Sequence, residues 1–291
     1  MTKVIKDFIN YLKKNNKADL TLSNYQSDLK IFVDWFEKKN ADKFAIYKIT
    51  PTDVRNYKEY LLQQKFKPNT VNRRILSLKS FLNWAWSNNK GGNVFQLPKL
   101  VNQEELTIQW LNQEQQRTLL TALEEHSNKR DRAIIRFLLN TGLIVSELCI
   151  LKWLDVQEKQ DRKFITVESK STKESRQIPL NTDAIKALLD LGYNQYKDSD
   201  KYIFIGQRGA LSSRGVQLIF KRLFRDSKIN ITPHVLRHTF CKNLVNSGTN
   251  LEIVALLAGH KNLDLTRKLY GNKPIVSMLA TIESINNISN D

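Results

Sequence analysis

Apolar residues recur every three or four positions through the first hundred residues, which is the spacing of one face of an amphipathic helix. Thr50 or Thr52, next to Pro51, is placed to begin one helix, and Asn69 is placed to cap another. The buried sides predicted for three helices are Tyr25, Leu29, Phe32 and Phe36, then Val54, Tyr57, Leu61 and Leu62, then Val71, Ile75, Leu78, Leu82 and Trp86. Residues 1–90 are therefore predicted to form a small helical bundle.

The helical spacing is interrupted after this bundle by Gly91, Gly92 and Pro98. Residues 91–109 are accordingly predicted to be a linker. Beyond it, the pattern predicts helices at about 112–125, 129–142, 182–191, 213–226, 233–247 and 251–258. Residues 110–291 are thus predicted to form a second, mostly helical domain.

One segment of this second domain has the pattern of a β-hairpin. Phe164, Ile165 and Val167 lead into a polar turn, and Ile178 and Leu180 lie on the return. The predicted fold class is therefore mainly α with a small antiparallel sheet, an α+β arrangement.

Basic residues exceed acidic ones, and the formal net charge is +17 at pH 7. Residues 1–100 carry +11 of this charge and the remainder carries +6. Such an excess favours a polyanionic partner, and we expect nucleic acid. Cys149 and Cys241 lie in apolar helical contexts, which predicts buried thiols in a reducing compartment. Because the sequence has no signal-peptide or membrane-span pattern, a cytoplasmic protein is expected.

The stretch TPHVLRHTF places His234, Arg237 and His238 at positions i, i+3 and i+4. On a helix these side chains share one face, and a face of donors and cations without a carboxylate is suited to an anion. A zinc site is disfavoured because the zinc-protease pattern has a glutamate between its histidines, whereas the residues here are Val235, Leu236 and Arg237, and a cation inside a zinc site is costly. No metal or other cofactor is predicted. The alternative is a capped helix whose histidines are simply hydrogen-bonded.

Five motifs, in order, resemble those of the tyrosine recombinases: TGLIVSELCILKW from Thr141, ESKSTKESRQIPL from Glu168, HVLRHTF from His234, LLAGH ending at His260, and TRKLYGN containing Tyr270. KPNTVNRRILSLKSFLNW is similar to part of the family's SAM-like core-binding domain, so the resemblance covers nearly the whole chain. It implies a core-binding bundle and a catalytic domain that form a clamp around double-stranded DNA. It also implies a site-specific recombinase or integrase that acts as a homotetramer on two duplexes, in the cytoplasm with the nucleoid, with accessory proteins as further partners.

The resemblance assigns chemical roles to five residues. Tyr270 would attack a DNA phosphate to form a 3′-phosphotyrosine, and Lys170, in the turn of the hairpin, would protonate the departing 5′ oxygen. Arg237 would bind two phosphate oxygens. His234 and His260 would hydrogen-bond the other oxygens or move protons. These steps need neither metal nor ATP.

Other residues are implied to bind DNA or a neighbouring protomer. The DNA contacts are Arg73, Arg74 and Lys79 in the bundle, Lys173 and Arg176 in the hairpin, and Arg214, Gln217 and Lys221 on the helix over 213–226, whose Val216, Ile219, Phe220 and Leu223 face inwards. The alternatives are a solvated basic face and an ordinary amphipathic helix. His238 is implied to support the site without touching the phosphate. The stripe of Ile275, Leu279, Ile282 and Ile285 is implied to dock on a neighbouring protomer.

The sequence departs from the family pattern at two places. Ile144 stands where the pattern has the first phosphate-binding arginine, and His260 and Tyr270 are ten positions apart, one more than is usual. A missing cation predicts impaired cleavage. The alternatives to an active recombinase are a DNA-binding architectural relative without catalysis and a type IB topoisomerase.

Overall fold

The computed structural model describes residues 2–91, 96, 98–102, 108–168, 174–227, 229–260 and 262–271. The chain divides into two compact units, residues 1–106 and 107–291. Lys170, Lys173 and the C-terminal stripe from Ile275 to Ile285 lie outside the described residues.

Four helices form the first unit: α1 (Lys3–Lys14), α2 (Asp19–Asn40), α3 (Pro51–Gln63) and α4 (Pro68–Ser87). Thr50 caps α3, since its hydroxyl accepts from the backbone N–H of Asp53 and the Asp53 carboxylate accepts from the N–H of Thr50. Aromatic side chains fill the core, where the rings of Phe32 and Tyr57 meet edge to face at 5.0 Å. The predicted helical bundle is confirmed.

The predicted pattern is wrong at three positions of this bundle. The helix α4 begins at Pro68 with Lys67 as N-cap, so Asn69 is not the cap. Trp86 is 55% exposed, because the 3.6-residue repeat continues the buried stripe to Ala85 instead. Leu62 is likewise exposed on α3.

The predicted basic face of α4 is only partly exposed. Arg74 is 8% exposed and lies over the ring of Phe66 at 4.1 Å from its centroid. Asn72 is also buried, and its side-chain amide exchanges two hydrogen bonds with the backbone of Val101, at 2.8 and 2.9 Å. Of the three basic residues predicted to contact DNA from this unit, Arg73 and Lys79 are exposed, and Arg73 is paired with buried Asp28. The hydrogen bonds of Asn72 to Val101 also show that part of the predicted linker is bound to the first unit.

The second unit is mostly helical. Its helices are α5 (Gln113–His126), α6 (Lys129–Thr141), α7 (Val145–Leu148), α8 (Thr182–Asp190), α9 (Tyr193–Tyr196), α10 (Ser213–Leu223), α11 (Pro233–Asn246), α12 (Leu251–Ala258) and α13 (Leu263–Tyr270). Six of them lie where the sequence pattern predicts, and α10 buries Val216, Ile219 and Phe220 as expected. The helix α11 packs against α6, α12 and α13.

The small antiparallel sheet is also confirmed. Its strands are β1 (Val156–Lys159), β2 (Arg162–Glu168) and β3 (Ser175–Pro179), in the order β1-β2-β3, and a separate pair is formed by β4 (Ile205–Gly206) and β5 (Gly209–Ala210). Ile165 lies opposite both Val156 and Ile178, which places three apolar side chains on the buried face. The strand β1 was not predicted because its sequence, VQEK, is almost entirely polar.

Gly142 allows α6 to approach α11 closely. It ends α6 in the left-handed conformation, with φ of +63°, and a Cβ there would lie 2.3 Å from the ring of Phe240. The loop from Gly142 to Ile144 therefore passes directly beside α11. No helix among the described residues is long and apolar enough to cross a membrane.

Candidate active site

The helix α11 presents four polar side chains on one face: His234, Arg237, His238 and Cys241. Thr232 caps this helix by accepting from the N–H of Val235 at 3.2 Å. His234 is exposed, whereas Arg237 is 9% exposed and donates from Nη1 to the carbonyl of Gly142 at 2.7 Å.

Arg237 is a buried cation. No carboxylate forms an ion pair with it among the residues that the structure describes. Burial lowers its pKa, but a guanidinium keeps its proton at neutral pH. A buried, unpaired positive charge is costly unless an anion joins it. Arg237 is therefore the strongest anion-binding group of this face.

Tyr270, the last residue of α13, contacts the same face. Its hydroxyl lies 2.5 Å from Nδ1 of His238, and the side chain of Cys241 belongs to the same buried cluster. The side chain is 2% exposed, and burial raises the pKa of its hydroxyl. The fold thus brings the predicted nucleophile beside the predicted phosphate-binding helix.

His260 follows α12 and lies against Tyr270. The two rings are parallel, with centroids 6.5 Å apart, and Nδ1 of His260 is 2.8 Å from the hydroxyl of Thr266. Burial, helped by Arg237 and His238, lowers the pKa of His260 to about 4. The imidazole is therefore uncharged at neutral pH.

Arg176 on β3 is committed to Glu147 on α7. Its Nη1 and Nη2 donate to the two carboxylate oxygens at 2.8 and 2.9 Å, and its Nε donates to the carbonyl of Leu257 at 3.0 Å. Both side chains of the pair are 8% exposed. One oxygen of Glu147 also accepts from the N–H of Ile144 at 3.0 Å. This pair joins β3, the turn at Ile144 and the end of α12, and it leaves Arg176 few donors for the predicted DNA contact.

Gly259 makes room for this pair. It has φ of +69°, and a Cβ there would lie 2.8 Å from the guanidinium carbon of Arg176. Glycine is therefore required both by the backbone conformation and by the close approach of the arginine. Because His260 is the next residue, the packing of Arg176 on Gly259 also fixes the position of the His260 backbone.

A cleft of about 950 Å³ opens beside the α11 face. Its lining includes Ile144, His234 and Arg237, together with Gln217 and Lys221, which are spaced four residues apart on α10. Ile144 is 37% exposed. Arg214 is exposed but does not belong to this lining. Position 144, where the family pattern has an arginine, thus lines the same cleft as Arg237.

The cleft does not have the character of a metal site. Within the described part of the chain, no group of three His, Cys, Asp or Glu side chains is arranged to hold a metal ion. The two histidines of α11 flank a guanidinium, which disfavours a divalent cation.

Comparison with protein families assigns the chain. Residues 109–274 match the phage integrase family, and residues 5–89 match the N-terminal SAM-like domain of phage integrases. The chain belongs to the phage integrase family. Among its relatives in this family, tyrosine recombinase XerC of Bacillus pumilus is 31% identical over 275 residues, covering 89% of this chain and 88% of that protein. XerC of Staphylococcus aureus is 31% identical over 276 residues, covering 90% and 89%.

Solved structures of phage integrases and recombinases share this fold. The Tn1549 transposon integrase in complex with a circular intermediate DNA has a TM-score of 0.76 at 20% identity, covering 97% of this chain and 98% of the other. A lambda integrase dimer bound to a core site has a TM-score of 0.73 at 18% identity, covering 94% and 97%. Their similarity extends through both helical regions of the chain.

Motif reasoning gave an incomplete account of three side chains of this site. Glu147 and Cys241 carried no assigned role, and His238 had only a supporting one. The sequence shows only that Glu147 is at a helix-capping position and that Cys241 lies in an apolar context. Glu147 meets Arg176, which is 29 positions away in the sequence. Cys241 on α11 packs in one cluster with Tyr270, which is on α13.

Proposed function

We propose that the chain is a site-specific DNA recombinase or integrase that cuts and rejoins DNA through a 3′-phosphotyrosine at Tyr270. The observation that carries the proposal is the position of the Tyr270 hydroxyl on the face of α11 that also holds Arg237 and His234. The 31% identity with XerC over nine-tenths of the chain supports the same reaction. DNA is accordingly the proposed substrate and partner.

The residues divide the chemistry among them. Arg237 and His234 hold nonbridging oxygens of the scissile phosphate, which carry more negative charge in the transition state than in the ground state. The oxygen of Tyr270 attacks phosphorus as the bond to the 5′ oxygen breaks, and Lys170 donates a proton to that oxygen. Neutral His260 stacks on the tyrosine ring and hydrogen-bonds a phosphate oxygen. A 5′-hydroxyl then attacks the phosphotyrosine and restores the DNA without a metal or ATP.

Ile144 impairs cleavage in this proposal. Its side chain lines the cleft with Arg237, and it can neither neutralise a phosphate oxygen nor donate to it. Loss of one positioned cation from a phosphoryl-transfer site commonly costs about 10³-fold or more in rate. A DNA-binding relative without cleavage is thus the second candidate function, and the apolar side chain in the cleft is what favours it.

The proposed assembly is a homotetramer on two DNA duplexes. Each protomer would bind one half-site, with Arg73, Lys79, Gln217 and Lys221 as exposed contacts. Strand exchange would pass through a Holliday junction, and the segment from Ile275 to Ile285 would dock on the next protomer. Accessory proteins and a cytoplasmic, nucleoid-associated location complete the proposal.

The test is formation of a covalent adduct. The binding site is first selected from random duplexes, and a nicked suicide duplex of that sequence is then incubated with the protein. We expect a protein–DNA adduct that forms in the presence of chelator and is absent with Tyr270→Phe, whose DNA affinity is unchanged. Specific binding without any adduct, even with Ile144→Arg, supports the architectural candidate. An adduct that persists in Tyr270→Phe assigns the nucleophile to another residue.

A further inference from the structure

We propose that His238 is a catalytic residue that takes the proton of the Tyr270 hydroxyl during cleavage and returns it during rejoining, an inference that rests on the proposed function. Nδ1 of His238 lies 2.5 Å from the phenolic oxygen, within the distance required of a general base. The motif places His238 next to Arg237 in sequence, but only the packing of α13 on α11 brings its ring to the reacting oxygen.

The surroundings of His238 keep its imidazole unprotonated. Its pKa is lowered by burial and by the neighbouring side chains of His234 and Arg237. With hydrogen on Nε2, the neutral ring offers the Nδ1 lone pair to the hydroxyl of Tyr270, so the phenol donates. This is the arrangement from which a proton can move from oxygen to nitrogen.

Tyr270 needs such an acceptor. Burial raises the pKa of its hydroxyl, so an unaided phenolate is a minor species at neutral pH. Attack on phosphorus therefore requires that the proton leave as the new bond forms.

Neighbouring groups are less suited to this role. The thiol of Cys241 is fully buried and burial raises its pKa, so it remains protonated and is a poor proton acceptor. The ring of His260 lies parallel to that of Tyr270 with the centroids 6.5 Å apart, and its Nδ1 is engaged with Thr266. Arg237 is a cation without a lone pair. Among the described residues, His238 is the side chain whose basic nitrogen directly contacts the nucleophilic oxygen.

The step balances without a further reactant. The O–H bond of Tyr270 breaks, its proton joins Nδ1 of His238, and the oxygen bonds to phosphorus. The bond from phosphorus to the 5′ oxygen breaks at the same time, and that oxygen takes a proton from Lys170. In rejoining, the 5′-hydroxyl attacks, its proton returns to Lys170, and the imidazolium gives its proton back to Tyr270. Because burial and the charge of Arg237 disfavour the imidazolium, the return is favourable.

Two leaving groups separate His238 from Lys170 in a kinetic test. One suicide duplex has the ordinary 5′ oxygen at the scissile bond, and the other has sulfur there, which departs as a stable thiolate without protonation. We expect His238→Ala to slow single-turnover adduct formation by about 10²- to 10⁴-fold on both duplexes. Lys170→Ala, the matched control, is expected to be slow with oxygen and restored with sulfur. Equal rates for His238→Ala and the parent, or restoration of His238→Ala by sulfur, overturns the proposal.

His238→Asn separates proton transfer from positioning. Its amide oxygen can occupy the place of Nδ1 and hold the hydroxyl, but it cannot accept the proton, so we expect a rate as low as that of His238→Ala. A rate close to that of the parent overturns the base role in favour of positioning.

A measurement independent of cleavage completes the test. Nitrogen-15 NMR of the DNA-free protein is expected to show His238 with hydrogen on Nε2, and its Nδ1 resonance is expected to shift in Tyr270→Phe. Hydrogen on Nδ1 overturns the proposal whether or not the protein cleaves DNA. A parent without adduct on either duplex, combined with the expected NMR result, instead contradicts the recombinase function.

Discussion

Two arginines of the second unit show how the same residue type takes different partners. Both guanidinium groups are largely shielded from solvent, since the side chain of Arg176 is 8% exposed and the residue Arg237 as a whole is 9% exposed. Arg176 meets both oxygens of Glu147, whereas Arg237 meets a backbone carbonyl and borders an open cleft. Burial alone therefore does not distinguish a structural arginine from one that binds substrate. The partner does, because a guanidinium without a carboxylate retains its attraction for an anion.

We expect first that removal of Arg237 lowers the rate of cleavage far more than it lowers the stability of the fold. Arg237→Ala should lower single-turnover adduct formation on the suicide duplex by about 10³-fold or more, because the phosphate loses its bidentate donor. No buried carboxylate is left unpaired, so the melting temperature should change by a few degrees only. Arg176→Ala is the matched control, and its melting temperature should be much lower than that of the parent. Similar melting temperatures for the two variants would contradict the distinction.

The second prediction concerns the other side of the pair. Glu147→Gln should lower the free energy of unfolding by about 3–5 kcal/mol, because it leaves Arg176 as a buried cation without its carboxylate. Urea denaturation measures this loss. The double variant Glu147→Gln with Arg176→Met removes both charges and should recover most of the stability. A single variant as stable as the parent would show that the pair is not needed to hold β3 and α7 together.

Ile144→Arg tests whether the cleft can accept a second cation. Because position 144 lines the same cleft as Arg237, we expect this change to raise cleavage by about 10²-fold or more. DNA affinity should change only modestly, with the salt slope rising by about one unit. The rates of adduct formation at saturating protein provide the measurement. Equal rates would mean that another cation, such as Lys221 or Lys173, already acts there.

The smallest expected effect is a pH dependence of stability. Burial, together with the neighbouring groups Arg237, His238 and Arg176, holds the pKa of His260 near 4, whereas an unfolded histidine has a pKa of about 6.5. Between about pH 6.5 and 4 the unfolded chain therefore binds a proton that the folded chain does not, and stability falls as pH falls. The melting temperature of the parent should drop across this window, and that of His260→Gln should drop less. Identical slopes would indicate that His260 is protonated in the folded protein.

Local sequence predicted much of this molecule. The stripe of Leu29, Phe32 and Phe36 is buried in α2, and the alternation around Ile165 forms the central strand of the sheet. These predictions succeed because helix and strand repeats depend on neighbours a few residues apart. The pattern was misleading where a helix ends, as at Trp86, and where a polar strand such as β1 is stabilised mainly by pairing.

The site was predicted only as a set of residues. The spacing of His234, Arg237 and His238 placed them on one helical face, and the motif order nominated Tyr270. Sequence alone did not indicate that Arg74 lies over Phe66 or that Arg176 pairs with Glu147, because a basic residue has the same local pattern in water, in an ion pair or on a phosphate.

The sequence by itself determined the helical and strand periodicities, the charge and the chemical types available for an anion site. Tertiary structure decided which of those groups are free to act. The hydroxyl of Tyr270 reaches His238, 32 positions away in the sequence, because α13 packs on α11. Glu147 forms an ion pair with Arg176 because α7 and β3 meet beside Gly259. Such contacts depend on how distant segments pack, and a buried charge takes its role from the partner that this packing supplies.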